Sequence, residues 1–188
     1  MSLEQIASQS RASQNKQELL KLLEFVSQIE PEVILEIGVH KGYSLETWNQ
    51  AFDPKLMIGV DIDVSQLDKE AIKDIDEVHI IDGCSNDIEV FEMVKDGLKG
   101  RTVDFLFLDG DHIEKIVRRD FELYSQLVRP GGIVAFHDAA LKTHPMVEVY
   151  KVFEELAQNH PNKLFIGFDG SQEDKLQAQG TGTGVICL

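Results

Sequence analysis

The chain has 188 residues, 43% of them hydrophobic, and 33 acidic against 18 basic side chains leave a formal charge of −15. That length suits one domain over 1–188 with a core of its own, and the acidic balance repels nucleic acid and anionic membrane surfaces, so the expected partner is a small molecule. Cys84 and Cys187 are too few for a disulfide framework, the start lacks the basic-then-apolar order of a signal peptide, and no apolar stretch is long enough to cross a bilayer; a cytoplasmic location is expected.

Residues 1–15 are polar and rich in Ser and Gln, either a short helix or a loose segment that could form a lid. From Gln17 to Ile29 the apolar positions Leu19, Leu20, Leu22, Leu23, Val26 and Ile29 follow helical spacing. Residues 1–30 thus read as an N-terminal helical extension, packing on the chain or at a homodimer interface. Val33–Ile37 is a buried-type strand, and Lys41-Gly42 leads into a helix from Tyr43 to Ala51. Leu56–Val60 is a second strand, and Ser65 has the chemistry to cap a helix through Lys73. Val78–Ile81 is a third strand, followed by a helix opened by Asn86 or Asp87 and closing near Gly97.

Val103–Leu108 is the fourth strand. After it, Ile113, Ile116, Val117, Phe121, Tyr124, Leu127 and Val128 mark the apolar face of a helix. Pro130-Gly131-Gly132 turns the chain into the fifth strand, Ile133–Phe136. Pro145 fits the first turn of a helix to Ala157. Leu164–Phe168 and Val185–Leu188 end the chain as two strands, joined by a polar, Gly-rich loop over 169–183 that could be a hairpin loop or a flap. The strand–helix alternation predicts an α/β fold: a Rossmann-like, doubly wound, mostly parallel seven-stranded sheet with an antiparallel last strand and helices on both faces.

The chemistry gathers at strand ends. Strand four ends in Asp109-Gly110-Asp111-His112 and strand five in His137-Asp138. One helix separates them, so the two strands are parallel and their C-terminal tips share the edge where open α/β sheets bind ligands. Two carboxylates and two imidazoles there suit a divalent metal or proton transfer. Strand one runs into Glu36-Ile37-Gly38-Val39-His40-Lys41-Gly42-Tyr43-Ser44, whose glycines permit a sharp turn and close ligand approach. Strand two ends in Asp61, placed for two ribose hydroxyls, and strand three in the polar turn Asp82–Asp87, which could meet an adenine edge. The glycine spacing is not GxGxxG and no Walker lysine follows. Glu36 would repel a pyrophosphate but tolerate an amine or a sulfonium, which points away from NAD and towards S-adenosylmethionine.

In order and spacing these motifs resemble the class I S-adenosylmethionine-dependent methyltransferases. Within them the chain is most similar to the metal-dependent O-methyltransferases of the catechol O-methyltransferase type and to related short bacterial methyltransferases. The resemblance covers Val33 to Asp138 and the terminal Gly182–Leu188 segment. It implies that Glu36, Gly38, Gly42 and Ser44 surround the methionine part of the cofactor, beside Asp109, that Asp61 holds the ribose and that Ser85 meets the adenine. It implies further that Asp109, His137 and Asp138 ligate a metal and that His112 is the general base. Two positions depart from the family pattern: His137-Asp138 stands where Asp-Asn is usual, and His112 where lysine is usual. The imidazole widens the choice of ion from Mg to Mn, Zn or Fe.

The expected activity is metal-assisted O-methylation of a small hydroxylated acceptor, with His112 taking the acceptor proton. The competing readings are a cofactor-binding module without its own catalysis or acting as a partner subunit, a metal-free methyltransferase, and an NAD-type oxidoreductase. His112 could instead only cap its helix, and Trp48 reads as core. His40, His79, His144 and His160 read as surface or loop histidines.

Overall fold

The computed structural model describes residues 1–142, 144–167 and 181–188. The strands are β1 (Val33–Ile37), β2 (Leu56–Asp61), β3 (Val78–Asp82), β4 (Val103–Leu108), β5 (Val128–Phe136), β6 (Lys163–Ile166) and β7 (Thr183–Cys187). The α-helices are α1 (Leu3–Gln9), α2 (Lys16–Val26), α3 (Tyr43–Phe52), α4 (Lys69–Ile72), α5 (Ile88–Leu98), α6 (Glu114–Tyr124) and α7 (Val149–Asn159). The sheet order is β3-β2-β1-β4-β5-β7-β6. β1 to β5 pair in parallel, while β7 runs antiparallel to both β5 and β6. Chain order reverses between β1 and β4, which makes that junction the switch point where such sheets open a crevice.

Two-residue alternation assigns each strand side chain to a face. Val33, Leu35, Ile37, Leu106, Val134 and Phe136 pack with Val90, Phe91 and Val94 of α5, Val117 and Tyr124 of α6, and Val152 and Phe153 of α7. Ile34, Met57, Phe105, Phe107, Ile133, Ala135 and Val185 pack with Ile6 of α1, Leu19, Leu22, Leu23 and Val26 of α2, and Leu45 and Trp48 of α3. The N-terminal helices are therefore half of one layer, and the Leu-rich face of α2 is buried on its own chain's sheet. Trp48 is core: its ring stacks on Phe52 and meets Phe105 and Phe107 edge-on, with centroids 5.4 and 5.2 Å away.

Local chemistry moved several expected boundaries. Ser65 does not cap a long helix. Asp63 accepts from Ser65 N to hold a short 3-10 turn over Val64–Gln66, Leu67 is extended, and Asp68 then caps α4 by accepting from Glu70 N. Pro145 does not open α7, which begins at Val149. The preceding residues are tied to the start of α6, with Glu148 N donating to His112 O and Glu148 Oε2 accepting from Glu114 N. That carboxylate supplies the cap that Ile113, at the N-cap of α6, lacks. β5 begins at Val128 and carries Pro130-Gly131-Gly132 inside it, where its register with β4 shifts. β6 begins at Lys163; Phe168 and most of the expected 169–183 loop lie outside the described residues.

Glu36 shows what the alternation dictates. It shares a face with Ile34, so its carboxyl points at α3 and not at the sheet edge. It is fully buried, accepting from Ser44 Oγ and from Trp48 Nε1 (2.9 Å). Burial pushes its pKa up to about 8, against the pull of those two hydrogen bonds. Replacing Glu36 by Ala strands two buried donors and is expected to cost about 2–4 kcal/mol in chemical denaturation. Because the folded value lies above the ordinary 4.5, the wild-type chain should lose stability as pH rises from that value through about 8; the Ala variant should not show that loss.

Candidate functional site

The backbone ladder continues one residue beyond each central strand. Gly38 N donates to Val60 O (2.8 Å), Asp109 N to Ile37 O (2.8 Å) and His137 N to Leu108 O (3.0 Å). The first residues after β1, β4 and β5 are thus fixed side by side at one height. Above them opens a cavity of about 540 Å³, walled by the loops after β1 to β5 and by residues 12–14 of the N-terminal segment. Its size is that of a small-molecule or cofactor site.

The cofactor end is built from backbone approach and hydrogen-bonding groups. Gly38 has φ +91°, and a Cβ there would lie 2.2 Å from Asp109 O, so only glycine lets the β1 loop cross so close to the β4 loop. Asp61 lines the cavity; its Oδ2 accepts from His40 N (2.7 Å) and its Oδ1 from Asp63 N (2.9 Å). These bonds hold the carboxylate in place and leave lone pairs for hydroxyl donors. Ser85 also lines the wall. Its carbonyl accepts from Tyr124 Oη (2.8 Å), and buried Asp120 accepts from the neighbouring Asn86 side chain (2.7 Å). Burial pushes Asp120 up to about 6 despite the bonds from Ser85 and Asn86.

Ser44 reaches the wall, whereas Glu36 and Gly42 do not line it. Glu36 is turned into the core, and a Cβ on Gly42 would press on Leu67 Cδ1 at 2.8 Å. Sequence motifs name both residues, but the structure places them behind the cavity, where they hold Ser44, Trp48 and the loop.

At the other end Asp109, His112, His137 and Asp138 converge. His137 Nδ1 lies 2.9 Å from Asp109 Oδ1 and 3.3 Å from Asp138 Oδ1, and His137 Nε2 lies 3.2 Å from Thr181 Oγ1. His112 Nε2 lies 2.7 Å from Asp138 Oδ2. Asp138 adopts φ +60°, which lets its carboxylate sit between the two imidazoles. One ligand atom each from Asp109, His137 and Asp138 can be chosen so that all lie within 4.8 Å of one another, a spacing that can hold a metal ion.

Electrostatics follow from this crowding. Burial pulls the His137 imidazolium down, but Asp109, Asp138 and Glu18 outweigh it and hold the ring at about 9. The hydrogen bond to Asp138 raises His112 above the ordinary histidine value, against partial burial. Burial opposes the charge on Asp138, yet His112 and His137 keep its pKa low.

Two residues that the sequence motifs do not mark complete this end. Gln14 Nε2 donates to Asp109 Oδ2 (3.1 Å), and Glu18 Oε2 accepts from Gly182 N (3.1 Å). The parity of β4 and β5 explains both: Asp109 continues the Phe105–Phe107 series and His137 the Ile133–Ala135 series, so each emerges on the face that α2 covers. The segment carrying Gln14 is tied down by Arg11, which bonds both oxygens of Glu46 (3.0 Å each) and Asp68 (2.9 Å) and lies 4.1 Å from the centre of the Tyr43 ring. A polar amide and a lone acid in a helical stretch carry no spacing signal of their own.

The residues fit a bound cation. Three buried side-chain oxygens make no hydrogen bond among the described residues: Gln14 Oε1, Glu18 Oε1 and Asp138 Oδ1, the last of which has only the 3.3 Å ion-pair contact with His137 Nδ1. Two carboxylates and one imidazole whose ligand atoms converge, at Asp109, His137 and Asp138, suit a positive ion.

Comparison with known proteins agrees with this architecture. The family model described as Rhamnosyl O-methyltransferase/CmcI matches residues 9–163. Mycinamicin VI 2''-O-methyltransferase of Micromonospora griseorubida is 31% identical over 112 residues, 56% of this chain and 26% of that protein. An uncharacterized protein, R132, of Acanthamoeba polyphaga mimivirus is 33% identical over 112 residues, 55% of this chain and 50% of its own. The matches thus span half or less of these curated relatives. Among solved structures, the O-methyltransferase TomG from Streptomyces achromogenes in complex with SAM superposes with a TM-score of 0.69 at 19% identity, covering 100% of this chain and 90% of that one. The MycE methyltransferase in complex with Mg, SAH and mycinamycin VI gives 0.66 at 19%, covering 99% and 54%. With more than four-fifths of its length matched by the family model, on a sheet of this topology, the chain belongs to the Rhamnosyl O-methyltransferase/CmcI family of class I S-adenosylmethionine-dependent methyltransferases.

Proposed function

We propose that this protein methylates a hydroxyl oxygen of a small molecule, with His112 as general base and a divalent ion at Asp109, His137 and Asp138. The observation that carries the reading is the single cavity that joins the β1 glycine loop and Asp61 to the Asp109–His112–His137–Asp138 cluster. The relatives add support: the family description and the Micromonospora enzyme's name specify oxygen as acceptor, and the MycE structure is a complex with Mg as well as SAH.

The loop at Gly38 and the carboxylate of Asp61 bind and orient the adenosyl and methionine portions. S-adenosylmethionine supplies an electrophilic methyl on a sulfonium. A divalent ion, when bound, lowers the pKa of an acceptor hydroxyl and fixes its direction. His112 takes the hydroxyl proton as the acceptor oxygen bonds to the methyl carbon and the carbon–sulfur bond breaks, leaving a methyl ether, a neutral thioether and a protonated imidazole. Asp138 aligns His112 through the 2.7 Å contact and supports the charge it gains. Residues 12–14 close one side of the cavity and limit water.

The test is transfer of labelled methyl from S-adenosylmethionine to a panel of sugar and phenol hydroxyl acceptors. Transfer should be abolished by a chelator and restored by Mg²⁺ or Mn²⁺; full turnover in excess chelator would remove the ion from the mechanism. His112→Ala should lower turnover by roughly 10²–10⁴ with little change in SAH affinity. Since the base must be neutral and Asp138 raises its pKa, kcat/KM should fall as pH drops through a value above the ordinary 6.5, and that limb should vanish in His112→Ala. Asp61→Ala should weaken SAH binding by roughly tenfold or more in calorimetry, the scale of a lost charged hydrogen bond.

A further inference from the structure

We infer that Asp120 of α6, together with Tyr124, is a positioning residue for the nucleoside end of the cavity, holding the β3 turn at Ser85 and Asn86 in the shape that an adenine ring meets. The inference rests on the cofactor reading of the cavity and deepens it. Ser85 lines the cavity wall, and both residues that grip its turn come from α6. Asn86 Nδ2 donates to Asp120 Oδ1 (2.7 Å) and lies 3.5 Å from Ser85 Oγ. Tyr124 Oη donates to the Ser85 carbonyl (2.8 Å). Within the turn, Asp87 N donates to Cys84 O (3.0 Å). The turn is thus closed on itself and fastened from behind at two successive residues.

Packing alone does not call for an acid at this position. Asp120 is 2% exposed, on a helix whose other inward residues, Val117, Leu123 and Tyr124, join the core. An apolar side chain of similar size would avoid the cost of burying a carboxylate. What the carboxylate adds is direction. When ionised it only accepts, so it turns the Asn86 amide with its NH₂ inward and fixes that side chain in one orientation. Ile116, Asp120 and Tyr124 recur every four residues and so share one face of α6, and Ile116 lines the cavity itself. Asp120 also lines a small void with Gly110 and His112. One helix therefore carries an apolar wall residue and both fastenings of the polar wall, and it starts at Glu114, just after His112. The edge of adenine pairs an amino donor with a ring acceptor, and hypoxanthine reverses both. A wall held in one orientation separates the two bases, whereas a loose turn rearranges to suit either.

The experiment is calorimetric binding of SAH and of S-inosylhomocysteine to the full chain in chelator, which removes the ion site from the comparison, with thermal melting alongside. The wild-type chain should prefer SAH by roughly tenfold or more. Asp120→Ala should weaken SAH binding by roughly tenfold while S-inosylhomocysteine changes little, so that the preference collapses. Tyr124→Phe keeps the ring against Phe91 (centroids 5.7 Å apart) and removes only the hydroxyl. It should lower SAH affinity several-fold and shrink the preference in the same direction, and it decides the matter if Asp120→Ala does not fold. Asp120→Asn keeps an acceptor for Asn86 and should retain most of the preference. Affinities for both ligands that fall with the melting temperature, at an unchanged ratio, would make Asp120 purely structural and overturn the inference. Wild-type affinity and preference in Asp120→Ala and Tyr124→Phe, beside loss of SAH in Asp61→Ala, would overturn this inference alone, as would a wild-type chain that binds both ligands equally. A wild-type chain that binds neither would overturn the cofactor reading as well.

Discussion

The parallel pairing of β4 with β1 on one side and β5 on the other is the constraint on which the site depends. Its register aligns Ile37 with Leu108 and Leu108 with Phe136. Gly38, Asp109 and His137 therefore leave the sheet at one level, and the backbone bonds that continue past the strand ends hold them there. Loops elsewhere can vary without moving these residues. The position of the reactive cluster is fixed by the hydrophobic strands beneath it: Leu106, Leu108, Val134 and Phe136 on one face, Phe105, Phe107 and Ala135 on the other.

The same alternation sorts polar residues into two kinds of task. Glu36 lies within β1, so its parity buries it against α3, where it braces Ser44 and Trp48. Asp109 and His137 follow the last residues of their strands, so they are free of the sheet yet inherit its direction, towards α2. Residues 1–30 thereby gain a part in the site. They bury Ile6, Leu19, Leu22 and Leu23 over the sheet and carry Gln14 and Glu18 to the same edge.

Much of this was legible from residue order. β-branched and aromatic runs marked the five parallel strands, their alternation with helices gave the topology, and polar residues just after strand ends marked the cavity floor. Three kinds of feature were not legible. Which way a strand residue faces depends on its parity relative to a particular helix, so Glu36 reads as a ligand contact in the sequence and as a brace in three dimensions. Helix starts depend on which of several competing acceptors wins: Asp63 and Asp68 displaced the cap expected from Ser65, and the helix expected to start at Pro145 begins only at Val149. Contacts across long sequence separations carry no local pattern, which is why Gln14 against Asp109 and Glu18 against Gly182 emerge only from the fold.

Asp138 concentrates these demands in one residue. A left-handed backbone is unfavourable for side chains other than glycine, though aspartate tolerates it better than most. Glycine would relieve that cost, yet the position holds a carboxylate that is largely buried, bonded to His112 through one oxygen and 3.3 Å from His137 Nδ1 through the other. The neighbouring backbone maintains the conformation: Ala139 N donates to Gly182 O and Leu141 N to Asp138 O. Gly182 is also the residue that Glu18 holds by its N–H. The backbone around Asp138 is therefore tied through Gly182, just before β7, to Glu18 of α2, so changes in α2 reach the residue that aligns His112 through a chain of hydrogen bonds.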